Sequence, residues 1–232
     1  MVNKNSITIN NRSGAHQHYA IFNKPPTVTG SVSGQVWSNV FATASTPQGQ
    51  RANVSVYKKY YAIVGYSQDS PRVGVQVDVS GSKDVTLGST ESDGSTVPGT
   101  TLQLLVQDGA PQFGDDSLSD EAPTDAFEIQ TGSDFTISEA KNGHYLIGLG
   151  GTRNGNSIDG PAAIFVPEPN ETYQIEPVNT YYVTVGDYTK GSLIDANEIG
   201  GTVVTIDFDE YSSGQVTVVH NDWGQLVIQE QD

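Results

Sequence analysis

Val54-Ser-Val-Tyr-Lys-Lys-Tyr-Tyr-Ala-Ile-Val64 decides the fold class. Its β-branched and aromatic residues carry no 3.6-residue apolar period, so the stretch reads as strand. Strict alternation sends Tyr57, Lys59 and Tyr61 to one face and Lys58 and Tyr60 to the other. The same texture recurs at 6–10, 19–22, 73–79, 101–106, 134–138, 145–149, 162–166, 181–185, 202–208, 215–220 and 225–229. Turn signals such as Asn142-Gly143, Asn154-Gly155 and Asp159-Gly160-Pro161 separate these runs. Residues 192–199 are the one candidate for a short helix. Many short strands joined by glycine-rich turns predict an all-β protein, an antiparallel β-sandwich, with a barrel as the alternative.

Self-similarity extends the pattern. Thr8-Ile9-Asn10-Asn11 followed by His18-Tyr19-Ala20-Ile21 resembles Thr136-Ile137-Ser138-Glu139 followed by His144-Tyr145-Leu146-Ile147. Tyr60-Tyr61-Ala62-Ile63-Val64-Gly65 matches Tyr181-Tyr182-Val183-Thr184-Val185-Gly186. Features repeated in the same order predict a duplicated unit, with halves at 1–105 and 130–232 and an acidic connection over 106–129. Two tandem sandwich halves, or one jelly-roll-like sandwich whose sheets take strands from both copies, satisfy this pattern equally. With two facing halves, the seam between them is the natural place for a cleft.

Charge is segregated along the chain. Residues 1–83 hold eight Lys or Arg against two acids, residues 84–128 hold ten acids and no base, and residues 129–232 hold fifteen acids against three bases. A net charge of −16 repels a polyanion, which argues against nucleic acid as a partner. No run reaches the roughly 18 apolar residues of a membrane helix, and the first residues lack the apolar core of a secretion signal. Cytoplasmic placement is the expectation; secretion would follow if a signal peptide had been removed. With no cysteine, disulfides and thiolate chemistry are excluded.

Site candidates fall into three groups. The basic half interleaves Arg51, Lys59 and Arg72 with Trp37, Tyr57 and Tyr61, offering charge and stacking to a small anionic or glycan ligand. Asp115, Asp116, Asp120, Glu121 and Asp125 crowd a flexible acidic stretch, the oxygen-rich composition Ca²⁺ requires, although a solvated linker has the same composition. A catalytic reading falls on His18, His144, Tyr60, Tyr181 and Arg51 as proton donors or anion partners. The loop Gly148-Leu-Gly-Gly-Thr-Arg153 lacks the following helix of a nucleotide-binding turn, and Ser55-Val-Tyr-Lys58 lies within a strand rather than on the helix that presents that pair in penicillin-binding folds.

These features point first to a non-catalytic, lectin-like binding protein for a glycan or small polar ligand, cation-assisted by Ca²⁺ if the acidic loops bind it, and otherwise free of cofactors. The alternative is a cofactor-independent cyclase, isomerase or hydrolase working at the seam between halves. A homodimer paired through exposed sheet edges is the expectation for a third, structural role.

Overall fold

The computed structural model describes residues 4–114 and 118–229. The strands of the first half are β1 (Lys4–Asn11), β2 (Gln17–Asn23), β3 (Thr27–Val28), β4 (Trp37–Thr46), β5 (Arg51–Tyr57) and β6 (Tyr60–Ser67). They continue as β7 (Val77–Val85), β8 (Ser89–Thr90), β9 (Thr96–Val97), β10 (Thr101–Gln107) and β11 (Ala110–Phe113). Next come β12 (Phe127–Thr131), helix α1 (Ile137–Asn142), β13 (Tyr145–Gly151), β14 (Gly160–Phe165), β15 (Thr172–Glu176) and β16 (Thr180–Val185). The chain closes with β17 (Leu193–Ile194), β18 (Val203–Asp207), a 3-10 turn (Phe208–Glu210), β19 (Gln215–His220) and β20 (Leu226–Gln229).

The fold is an all-β sandwich built on one long sheet, ordered β18-β16-β2-β4-β14-β13-β6-β7, with β17 also pairing β4. A smaller sheet, β20-β19-β1-β5, packs on the first four of those strands through Ile7, Ile9, Tyr19, Ile21, Val54 and Val218. A second, β11-β10-β12-β15-β3, packs on the other four through Leu104, Phe127, Ile129, Ile147, Phe165 and Tyr173. Alternation explains this: on β1 the odd residues Ile7 and Ile9 are fully buried, while Ser6 and Thr8 are only half-buried.

Each sandwich draws on both halves of the chain. β1, β2, β4 and β5 lie in the first body; Lys58 and Lys59 then carry the chain across to β6, β7, β10 and β11 in the second. After β12–β15 in the second body, residues 177–179 carry it back to β16, β18, β19 and β20 in the first. Apart from β3, β17 and the small β8–β9 pair, the two bodies correspond strand for strand. β1 runs parallel to β19 and antiparallel to β5, as β12 runs parallel to β10 and antiparallel to β15. The β2/β4 ladder slips between Ile21 and Phe22, and the β13/β14 ladder between Leu149 and Gly150. Ile21 and Leu149 therefore hold the same place, two residues out of step with the His-Tyr match seen in the sequence.

Three local expectations are corrected. The run 54–64 is two strands in different sheets, because the chain leaves one sandwich at Tyr57 and enters the other at Tyr60. Residues 134–138 are not a strand: Thr136 caps α1, its hydroxyl accepting from the Glu139 N–H while the Glu139 carboxylate accepts from the Thr136 N–H. Residues 192–199 form no helix but contribute β17, which covers the outer face of β2 and β4 with Ile194.

Candidate binding cleft at the crossover seam

Where the two crossings pass each other, they leave a cleft of about 1040 Å³. One wall is Lys58, Lys59 and Tyr60 with Asp84 and Val85 at the end of β7. The facing wall is Glu176 at the end of β15, Pro177 and Asn179 from the return crossing, Asp207 at the end of β18 and Asp209 in the 3-10 turn. Lys24 and Asp125 complete the rim. Crossing meets crossing and strand end meets strand end, so the cleft sits on the approximate twofold relation between the bodies.

Ion pairs brace it on both sides. The Lys58 ammonium lies 3.7 Å from an Asp209 carboxylate oxygen, and Lys59 lies 3.1 Å from Asp84. Asn179 donates to that same Asp209 oxygen at 2.9 Å and accepts from the Asn5 amide at 3.1 Å, fixing the return crossing to β1. Both acids are largely exposed, so these pairs contribute little to stability. Tyr60 is half-buried on the cleft wall; burial, then the charge of Asp209, pushes its phenol up, so it stays protonated and donates. Tyr181, the second residue of the corresponding strand β16, lies beneath, 8% exposed and pushed up by burial and by Tyr60.

A family model described as RhiA matches residues 3–231, nearly the whole chain. This protein belongs to the RhiA family. No curated protein and no solved structure matches it. Within this RhiA-family chain the residues singled out from sequence scatter. Lys59 and Tyr60 line the cleft, while Tyr57 and Tyr181 pack below them beside Gly150 and Gly151. Tyr61 is buried in the second core, with the Lys59 ammonium 5.2 Å from its ring centre. Arg51 stands at the far, exposed end of β5 opposite Asn10. Trp37 and His144 come together elsewhere, at a separate pocket, and Arg72 lies near it in an ion pair of 2.5 Å with Asp69. His18 is drawn to Asp187 at 3.1 Å.

Among the acidic candidates, Asp115 and Asp116 lie outside the described residues. Asp120 accepts from the Thr101 N–H at 3.3 Å, the Glu121 N–H donates to the Thr101 hydroxyl, and Asp125 reaches the cleft rim in a left-handed conformation, φ 65°. Among the described residues no group of three or more His, Asp or Glu is arranged to hold a metal ion. Arg153 is also engaged: its guanidinium donates twice to Asp159, whose other neighbour is Lys190 at 3.3 Å. Partial burial opposes ionisation of Asp159, but the Arg153 hydrogen bonds and the two cations hold its carboxyl below the usual range.

Asn179, Asp207 and Asp209 were not singled out from sequence. The match of Tyr60-Tyr61 to Tyr181-Tyr182 carries the signal, since the same alignment sets Lys58 against Asn179 and so sets one crossing against the other.

Proposed function

We propose that this protein is a non-catalytic, lectin-like binder of a glycan or other small polar ligand, seated in the crossover cleft. The observation that carries the reading is the alternation of donors and acceptors around one concave, water-open space: Lys24, Lys58, Lys59, Tyr60 and Asn179 donate, while Asp84, Asp207 and Asp209 accept. A polyol presents hydroxyls that do both, and Tyr60 offers a ring face for a sugar's C–H surface. A Ca²⁺ contribution would fall to Asp125 on the rim. A cofactor-independent enzyme using the protonated Tyr60 as acid is the competing reading.

Screening a glycan array with and without Ca²⁺ tests this. A bound glycan is expected, with affinity lowered about tenfold, or about 1.4 kcal/mol, by Lys59→Met or Asp209→Asn. Binding that ignores both substitutions, or no binding across the array, would overturn the assignment to this cleft. Conversion of a bound sugar to product would favour the enzyme.

A further inference from the structure

A second cavity, of about 510 Å³, lies away from the cleft, between the segment 33–37, the turn at Ser70-Pro71, the end of α1 and Val166 after β14. Its size falls in the range of roughly 300–1,000 Å³ typical of small-molecule sites. Trp37, Pro71 and Val166 supply apolar surface. Among the described residues its ionisable lining is Lys141 and His144, with no acid. In a chain of 27 acids and 11 Lys or Arg that is a selective arrangement, and the crossover cleft, with five acids on its walls, is its opposite. The nearby Asp69 is neutralised by Arg72.

His144 is held in place by its backbone. It adopts φ 55°, the left-handed region that glycine takes most easily just past a helix end. Glycine stands one position earlier, because a Cβ at Gly143 would meet the Tyr145 ring at 2.3 Å. The strain therefore falls on His144, whose carbonyl accepts from the Ser67 N–H at 3.1 Å and whose N–H donates to the Lys141 carbonyl at 3.3 Å. Its Nδ1 is buried without a hydrogen-bond partner among the described residues. With Nδ1 enclosed, Nε2 is the ring nitrogen left to meet a ligand, and it can donate to one. Lys141 is exposed in the last turn of α1 and joins no ion pair among the described residues.

We infer that this pocket binds a small aromatic carboxylate, its ring against Trp37, Pro71 and Val166 and its carboxylate taken by the Lys141 ammonium and the His144 Nε2–H. The site is separate from the crossover cleft and does not depend on what that cleft binds.

The test uses fluorescence. Trp223, 81% exposed, is the other of the two tryptophans, so Trp223→Phe leaves Trp37 as the only indole. Titration with 4-nitrobenzoate, a ring that quenches indole emission, is expected to saturate, and 4-nitrobenzyl alcohol to bind more weakly. Lys141→Ala should weaken the acid about tenfold while leaving the alcohol unchanged. His144→Gly should also weaken the acid while raising the melting temperature, because glycine relieves the left-handed strain. Quenching that never saturates, equal affinity for acid and alcohol, or indifference to Lys141→Ala would overturn the proposal. A melting temperature that falls in His144→Gly with the affinity unchanged would return that residue to a structural role.

Discussion

The two sandwich bodies solve one packing problem in opposite ways. Phe22 of β2 stands opposite Tyr182, and at the corresponding place on β13 Gly150 stands opposite Tyr61. In the first body the Phe22 ring fills its own face, stacking on Tyr182 at 5.1 Å beneath Val40 and Ile194. In the second the face is left empty and a loop is brought down to fill it: a Cβ at Gly150 would lie 2.6 Å from Ile158 and 2.8 Å from Ile63. Arg153, Asp159 and Lys190 then tie that loop to the segment covering the first body. Strand pairing can therefore be kept while side-chain volume moves from strand to loop, and a loop that has become part of the core is no longer free to bind a phosphate.

The most severe way to break this comparison is to break the chain. The first body needs β1, β2, β4 and β5 from one half and β16, β18, β19 and β20 from the other; the second needs β12–β15 and, from the first half, β6, β7, β10 and β11, with β3 at its edge. A cut after Ser119 should give two fragments that remain unfolded alone and regain cooperative melting when mixed, followed by circular dichroism. A fragment that folds by itself would show that one half can complete a sandwich unaided.

Single substitutions sharpen the contrast. Phe22→Ala removes a fully buried ring and should cost about 3–5 kcal/mol, whereas Ile158→Ala, half-buried, should cost about 1–2 kcal/mol by denaturant melts. Equal losses would mean that the loop is as much core as the strand. Gly148 and Ala20 hold corresponding places one step earlier. A Cβ on Gly148 would lie 2.1 Å from the Ala163 carbonyl, so Gly148→Ala must move backbone and should cost about 2–3 kcal/mol. Ala20→Gly only loses a buried methyl and loosens the unfolded chain, about 1 kcal/mol.

Fold class was legible because alternation is local: Tyr19–Phe22 and Tyr145–Leu149 show their strand character within a few residues. The helix was missed: Thr136-Ile-Ser-Glu139 carries a capping-box pattern, but the similarity of Thr136-Ile137 to Thr8-Ile9 favours strand there. The sequence left tandem and shared sheets as equal alternatives, since the parallel pairing of β1 with β19 joins residues about two hundred positions apart and leaves no periodic trace. Nor could composition show that Lys58 and Lys59 interrupt a strand. Both crossings follow runs of ordinary strand texture, and only the three-dimensional path turns them into the two walls of one cleft. Trp37 and His144 could each be picked out as residue types, but their meeting depends on that path.

The gentlest test concerns one polar pair. On β1 Asn11 stands opposite His220, and on β12 Thr131 stands opposite Leu104. Where the second body buries a leucine, the first buries His220, 4% exposed, with its Nδ1 3.0 Å from the Tyr19 hydroxyl. Burial lowers the pKa of His220 below its ordinary value near 6.5. As pH falls through about 6.5 the unfolded chain takes up a proton before the folded one does, so stability drops on the acid side and is unaffected by this group above it. Carboxylates add their own acid dependence, but they are common to wild type and variant. Tyr19→Phe with His220→Leu, which copies the apolar pairing of the second body, should flatten the melting temperature between pH 7 and 5 relative to wild type. An unchanged slope would show that the acid response of this corner belongs to its carboxylates, and that histidine and leucine are interchangeable at the two matching positions.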